Sequence, residues 1–569
     1  MSMKNAGPSK RPVRRLRSSC PPARAAVFFG FVIALAMLAL LPACRSAGPE
    51  AADGASAGAI RIRAFAQQDP AVDLRTNRFT KLAEERFGIA FDWVTVPFEG
   101  AKEKRQISLA SGQYPDAYIL TSYIDQFSRE DVLRYGKQGI FYPLNDLIEK
   151  YAPHIQAAFE ADPELRELNT APDGNIYGLA AFSDCYHCSY PYKLWINAKW
   201  LDKLGLGMPS ATEELRNVLR AFKTRDPNGN GLADEIPLSD STEDFGVRLV
   251  PYLMNGFVYD DDRTYLTVRN GKVSLAAVKP EWKEGLAYIK SLYDEGLIDP
   301  GAFAQNADAF KRLGENEGAE LLGAAAAMHP DIFVDTGAGN ERGSDYDPAP
   351  PLRGPHADYS VYFRAGLTPG AKFAITDKAS PEARVALIRL ADYLYTPEGQ
   401  ANAEVGMEGV DWRRPKPGEL ALGPDSPASF ARIPVKQGDP PRNSGWGGMG
   451  HFYMPKSYRD SWVQDADIYS PDGYERRLYE ATRLYDGHEP KELFPSWAVW
   501  IDAEDADEAS MLQANLRNGI DQGALQFIMG DKELGRDWDE YVAGLRSLGA
   551  DRYVQIMQRA YDAWKGENG

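Results

Sequence analysis

The apolar positions of this chain become periodic at residue 60. Ile60–Ala66 reads as a strand, and Phe79, Leu82, Ala83 and Phe87 then fall at helical spacing, with Gly88 placed to stop the helix. Ile89, Phe91 and Trp93 alternate as a second strand, Ala101–Ala110 returns to helix, and Ala117–Leu120 reads as a third strand. This β-α-β-α-β order predicts a parallel sheet with right-handed crossovers. Ligands of open sheets lie beyond the carboxyl ends of the strands, which singles out Gln67-Gln68-Asp69 and Thr121-Ser122-Tyr123. Further on, helical patterns dominate: Trp282–Tyr293, Pro381–Tyr395, the face carrying Trp538, Tyr541, Val542, Leu545 and Leu548, and Tyr553–Trp564. Between Glu404 and Asp460 the periodicity gives way to Gly and Pro, with Trp412, Trp446, Phe452 and Tyr453 interspersed. A long irregular segment so rich in aromatics reads as a functional loop.

The first 60 residues follow a different logic. Lys4, Lys10, Arg11, Arg14, Arg15, Arg17 and Arg24 precede an apolar run from Ala25 to Leu41, with no acid among residues 1–25. That is a secretory signal with a cationic front and a hydrophobic middle. The run is at the short limit for a membrane span. Leu41-Pro42-Ala43-Cys44 resembles a bacterial lipobox, so residues 1–43 are expected to be removed and Cys44 to carry lipid. Residues 44–59, rich in Ala, Gly and Ser, then form a flexible tether. The expected location is the outer side of the cell membrane, extracellular or periplasmic, held by the lipid. Gly54-Ala55-Ser56-Ala57-Gly58 matches a hydrolase elbow pattern but lacks the strand and helix that the pattern requires.

About 510 residues remain, too many for one core. The net charge of −17 argues against nucleic acid as a partner. The six histidines form no paired or H-E-x-x-H arrangement, and no phosphate-binding or dinucleotide fingerprint is present. Cys185 and Cys188 are the two cysteines left after Cys20 and Cys44 are set aside. In an oxidising compartment they are candidates for a local disulfide, with free thiols or a redox or metal role as alternatives.

One segment points to a metal. In Asp226-Pro227-Asn228-Gly229-Asn230-Gly231-Leu232-Ala233-Asp234-Glu235, oxygen-bearing side chains recur at every second position and glycines stand where the backbone must curl. Calcium takes six to eight oxygens from such a loop. The expected ligands are Asp226, Asn228, Asn230, Asp234 and Glu235, with the Leu232 carbonyl in the gap. The twelfth position is Pro237 rather than a bidentate Glu, so the loop is EF-hand-like rather than an EF-hand. Asp-Pro-Asn-Gly alone is also a good turn sequence.

The order and spacing of several short pieces add a family resemblance. These are Ala110–Asp116, Asp173–Gly178, Leu194–Asn197, Trp200–Gly205, the 226–235 loop, Leu292–Pro300, Gly406–Trp412 and Phe527–Gly530. Together they resemble large bacterial extracellular solute-binding proteins, and among them the calcium-containing relatives of alginate-oligosaccharide-binding proteins. The resemblance implies an α/β periplasmic-binding-protein fold of two discontinuous lobes with a ligand cleft at the hinge. Residues 60–185 and about 365–409 would form the first lobe, and about 186–364 and 410–569 the second. It places the calcium site away from the cleft in a structural role. The pair Cys185 and Cys188 is not part of the alginate-binding pattern and falls at the expected hinge.

The implied function is capture of a carbohydrate, an oligosaccharide, by a monomeric protein that delivers it to the permease subunits of an ABC transporter, without catalysis. A secreted calcium-containing glycoside hydrolase or lyase is the alternative, since paired carboxylates cannot be read from spacing alone. A sensory or peptide-binding lipoprotein is a third reading. Sugars stack their C–H faces on aromatic rings, so the expected ligand contacts are Tyr190, Trp412, Arg442, Trp446 and Tyr453, with Trp446 foremost because glycines flank it.

Overall fold

The computed structural model describes residues 58–568 apart from 70–71, 244–245, 338, 436–439, 441 and 503. Cys44 and the expected signal lie outside the described residues. Among the described residues no helix is long and apolar enough to cross a membrane.

The first lobe is built on β1 (Ile60–Gln67), α1 (Arg78–Phe87), β2 (Ile89–Val96), α2 (Ala101–Ala110), β3 (Ala117–Ile119) and α3 (Arg129–Lys137). β1 pairs in parallel with β2 and with β3. Asn77 caps α1 by accepting the Thr80 amide, and Gly88 ends it in the left-handed region at φ 65°. Alternate strand residues face two cores. Ile62, Ala64, Ala66 and Ile119 point to one apolar cluster, and Phe65 and Tyr118 to another on the opposite face.

The chain crosses to the second lobe between Phe182 of β4 (Phe182–Ser183), which packs on the first core, and Tyr190, which packs on the next. The second lobe carries β5 (Leu194–Asn197), the hairpin β6 (Leu266–Arg269) and β7 (Lys272–Leu275), then β8 (Ala324–Ala326) and β9 (Tyr346–Ala349). β5 lies between β8 and β9, antiparallel to both. Leu194 and Ile196 face the helical core of this lobe, while Trp195 faces a smaller cluster with Phe333 and Tyr346. Val361 still belongs to the second core, but Leu367 is back in the first, where β10 (Phe373–Ile375) adds antiparallel to β3.

The packing does not change at residue 409. Trp446, Met449 and Phe452 enter the first core, and Trp412, Phe430, Met454 and Trp462 form a satellite cluster with Ala401 beside it. The second lobe resumes only after Trp462, with Leu478, Ala481 and Tyr485. The expected boundary at 409/410 does not coincide with the change of apolar cluster, which falls between Trp462 and Tyr474. The physical reason is a buried amine: Lys372 donates to the carbonyls of Met449 and His451 at 2.7 and 2.8 Å, binding this segment to β10.

Candidate functional site

The strand ends of the first lobe meet as the βαβ order requires. Gln67, at the end of β1, accepts the Thr121 amide and donates to the Asp125 carbonyl at 2.9 Å. Arg105 of α2 grips Asp125 through two hydrogen bonds of 2.6 and 2.9 Å, which fixes the loop after β3. Tyr123 projects from this loop and is 65 % exposed. Burial of its hydroxyl side, with Asp69 nearby, raises the phenol pKa. Its ring rests on Gly448, where any Cβ would overlap it. A small hollow here is lined by Gln67, Asp69, Thr121, Tyr123, Trp446 and Gly447.

The loop continues into α3, whose Arg129 holds a strap from the C-terminal part of the chain. Its guanidinium donates to the carbonyls of Trp497, Ala498 and Val499 at 2.9, 3.1 and 2.7 Å and lies over the Trp500 ring. Val499 packs in the second core and Trp497 against the first, so the strap spans the junction. Beside it a hollow of about 740 Å³ takes Glu164 and Glu167 from the first lobe and Tyr362, Glu489, Lys491 and Trp564 from the second. Arg364 bridges the lobes to Asp162 at 3.1 Å.

The five expected ligand contacts are placed differently. Trp412 is fully buried and spends its indole N–H on Asn402 and the Gly406 carbonyl, at 3.0 and 2.8 Å. Trp446 is also buried, edge-on to Phe79 and Trp93, and donates to Thr80 at 2.9 Å. The glycines around it do not present its ring: Gly445 and Gly450 press on the carbonyls of Ala403 and Glu404, and Gly448 makes room for Tyr123. Arg442 clamps the carbonyls of Val410, Ile433 and Pro434, with Asp411 at 3.4 Å, and so holds its own segment together. Tyr453 is sandwiched between Phe182 and Tyr395. Tyr190 is buried, its ring against Tyr362 and its hydroxyl on Asp486 and Glu489 at 3.0 and 3.1 Å. It stands behind the junction hollow rather than in it. Tyr123 lies at a strand end that the sequence singled out, although it was not among the five expected contacts; Tyr362, Trp497 and Trp500 are rings that no local pattern marks.

Cys185 and Cys188 form a disulfide in the first crossing, where a one-turn helix, Tyr186–Ser189, starts at Cys185. Behind it Lys193 is fully buried and donates to the carbonyls of His187 and Tyr190. Among the described residues no carboxylate meets it, and burial pulls its pKa down to about 7.

The 226–235 loop lies at the other end of the second-lobe sheet. Ile236 bridges to Leu322 and Ser239 to Ala325, so the loop sits at the Asn197 end of β5 while the crossing enters at Leu194. Asp226 accepts the amides of Gly229 and Gly231 at 2.9 and 3.1 Å, and Asn228 and Asn230 both turn to Asp234. Asp226, Gly229 and Gly231 have φ of 45°, 77° and 76°, the curl that brings these groups inward. Leu232 turns its side chain to solvent. Glu235 has a buried oxygen with no hydrogen-bond partner, and burial, with Asp226 and Asp234 close by, raises its pKa.

Two lobes joined by repeated crossings are the architecture of a solute-binding protein. The chain belongs to the bacterial extracellular solute-binding protein family, whose pattern matches residues 73–401. It is 29% identical over 499 residues to the fructooligosaccharide ABC transporter substrate-binding protein FusA of Streptococcus pneumoniae, covering 85% of this chain and 86% of that protein. The structure of FusA in complex with kestose superposes with a TM-score of 0.71 at 26% identity, over 89% of this chain and 100% of that one. A solute-binding protein from Bifidobacterium longum infantis shares the fold, with a TM-score of 0.73 at 22% identity, over 89% of this chain and 99% of that one.

Proposed function

We propose that this protein captures an oligosaccharide between its lobes and delivers it to the permease subunits of an ABC transporter. The observation that carries the reading is the exposed Tyr123 ring, seated on Gly448 at the strand ends. An exposed aromatic on a fixed glycine floor offers a flat apolar face, and carboxylates and an ammonium near the junction (Glu164, Glu489, Lys491) suit sugar hydroxyls. The kestose complex of FusA supports this ligand class. Calorimetric titration with neutral fructooligosaccharides and with uronate oligosaccharides tests it. Saturable binding of one of them, weakened in Tyr123→Ala, is expected; no heat with any saccharide overturns the reading.

The 226–235 loop fits a calcium ion. Its carboxylates crowd one another, and the buried, unpartnered Glu235 oxygen calls for a cation. Asp226, Asn228, Asn230, Asp234, Glu235 and the Leu232 carbonyl would hold it. The ion would neutralise the crowded acids and stiffen the second lobe far from the cleft. A FusA structure described as an EF-hand mutant supports such a loop in a relative. Lipid attached at Cys44 would tether the protein to the outer side of the membrane, and the lobes would work as a monomer.

A further inference from the structure

We propose that a cavity inside the second lobe binds a small hydroxylated organic ammonium ion, such as an amino sugar with a free amine. The cavity holds about 190 Å³ and is separate from the strand-end and junction hollows. It lies among residues 240–242, the start of the helix Leu249–Met254, the 260–265 loop and the helix Ala506–Met529. Leu249, Phe303 and Ala524 contribute apolar wall.

Its charges do not balance. Among the described residues, Asp240, Asp260, Asp262 and Asp521 line it against one guanidinium, Arg248. Arg248 stands 2.9 Å from Asp262 and 3.3 Å from Asp521, and Arg517 approaches the same two acids at 3.7 and 3.9 Å. These two cations answer Asp262 and Asp521 and leave Asp240 and Asp260 over. Both of the remaining acids are buried. Asp240 accepts the amides of Ser241 and Leu249, and Asp260 that of Asp262. A buried carboxylate without a counter-ion either takes up a proton or takes a cation. Burial pushes Asp240 up to about 8 and Asp260 well above the carboxylate range, so an ammonium would replace protons that these acids otherwise hold.

A second, independent feature asks for a hydroxyl. Trp282 lines the cavity, is 1 % exposed, and its indole N–H has no hydrogen-bond partner among the described residues. It needs an acceptor, which a carboxylate-seeking amine alone does not supply. The Tyr265 and Trp282 rings, with centroids 6.1 Å apart, add faces that attract an organic cation. A bare metal ion would leave the indole and the apolar wall unused.

The test compares 6-amino-6-deoxyglucose with glucose, which differ in the amine alone, by calorimetry on the full chain at pH 7. The amine should bind at least tenfold more tightly than glucose. Asp260→Asn should weaken it by tenfold or more. Because that variant disturbs a buried hydrogen bond, Ala524→Leu provides a second arm: it fills the cavity without touching a polar group and should also weaken binding. Tyr123→Ala should leave amine binding unchanged, since this site does not depend on the inter-lobe reading. Equal affinity for amine and glucose overturns the proposal. So does undiminished binding by Ala524→Leu, or loss of binding in Tyr123→Ala, which would put the amine between the lobes.

Discussion

Tyr123 lies on Gly448, and the pair joins two segments far apart in sequence at the mouth of the first-lobe strands. The glycine is needed for space and not for its backbone freedom, because its φ is outside the positive range. Gly448→Ala should therefore tilt the Tyr123 ring off its seat. Burying a ring face against sugar C–H groups is worth about 25 cal/mol per Å². Tyr123→Ala should cost on the order of 1–3 kcal/mol, or roughly tenfold to a hundredfold in affinity. Gly448→Ala should reproduce part of that loss, with an unchanged melting temperature. Titration of both variants checks this, and wild-type affinity in Tyr123→Ala would remove the ring from the site.

Trp446 should behave as a core residue. It packs edge-on against Phe79 at 4.7 Å between ring centroids and donates its N–H to Thr80. Truncating a buried Trp to Ala typically costs about 3–5 kcal/mol through lost burial and the cavity left behind. Trp446→Ala should lower the unfolding free energy by that amount, measured by denaturant unfolding without ligand. A variant that stays as stable as wild type but loses sugar binding would return Trp446 to the ligand site.

These two residues show what was legible in the sequence. Period-two and period-3.6 patterns report which face of an element meets its own layer, so β1 to β3, α1 and the strand-end loops could be read directly. The segment from 404 to 460 has no period. Its aromatics dock by long-range contacts, Trp446 on Phe79 and Trp412 on Asn402, that no local pattern encodes. Glycines beside Trp446 read as the sign of an exposed ring, whereas they let neighbouring backbone and Tyr123 come close. The same limit hid the strap: Trp497 and Trp500 matter because Arg129, remote in sequence, holds the Trp497 carbonyl and lies over the Trp500 ring. The inward curl of the 226–235 loop was legible because its glycines and oxygen-bearing side chains are contiguous.

Calcium should stabilise without being required for folding. At a free ion concentration a hundred times the dissociation constant, binding adds about 2.7 kcal/mol. Chelation should lower the melting temperature of the wild type, and Asp226→Ala should melt at the chelated value with or without calcium. Sugar affinity should change little, since the loop and the crossing occupy opposite ends of β5. Identical melting curves with and without chelator would count against an ion in the loop.

Lys193 should give the protein a particular dependence on pH. Its amine is buried with no carboxylate partner among the described residues, and burial lowers its pKa to about 7, against about 10.4 in an unfolded chain. Below about 7 both states carry the proton, and its burial penalty is constant. Between 7 and 10.4 the unfolded chain binds a proton that the folded one does not, so this residue makes stability rise with pH, by up to about 1.4 kcal/mol per unit. Lys372, buried in the same way beside Met449 and His451, has the same sign, while Asp240 opposes it up to about 8. Comparing wild type with Lys193→Met cancels these shared contributions. Denaturant unfolding at pH 7, 8 and 9 should show the wild type gaining on the variant at each step. A difference that stays flat across the series would mean that Lys193 keeps its proton in the folded state, held by the carbonyls of His187 and Tyr190.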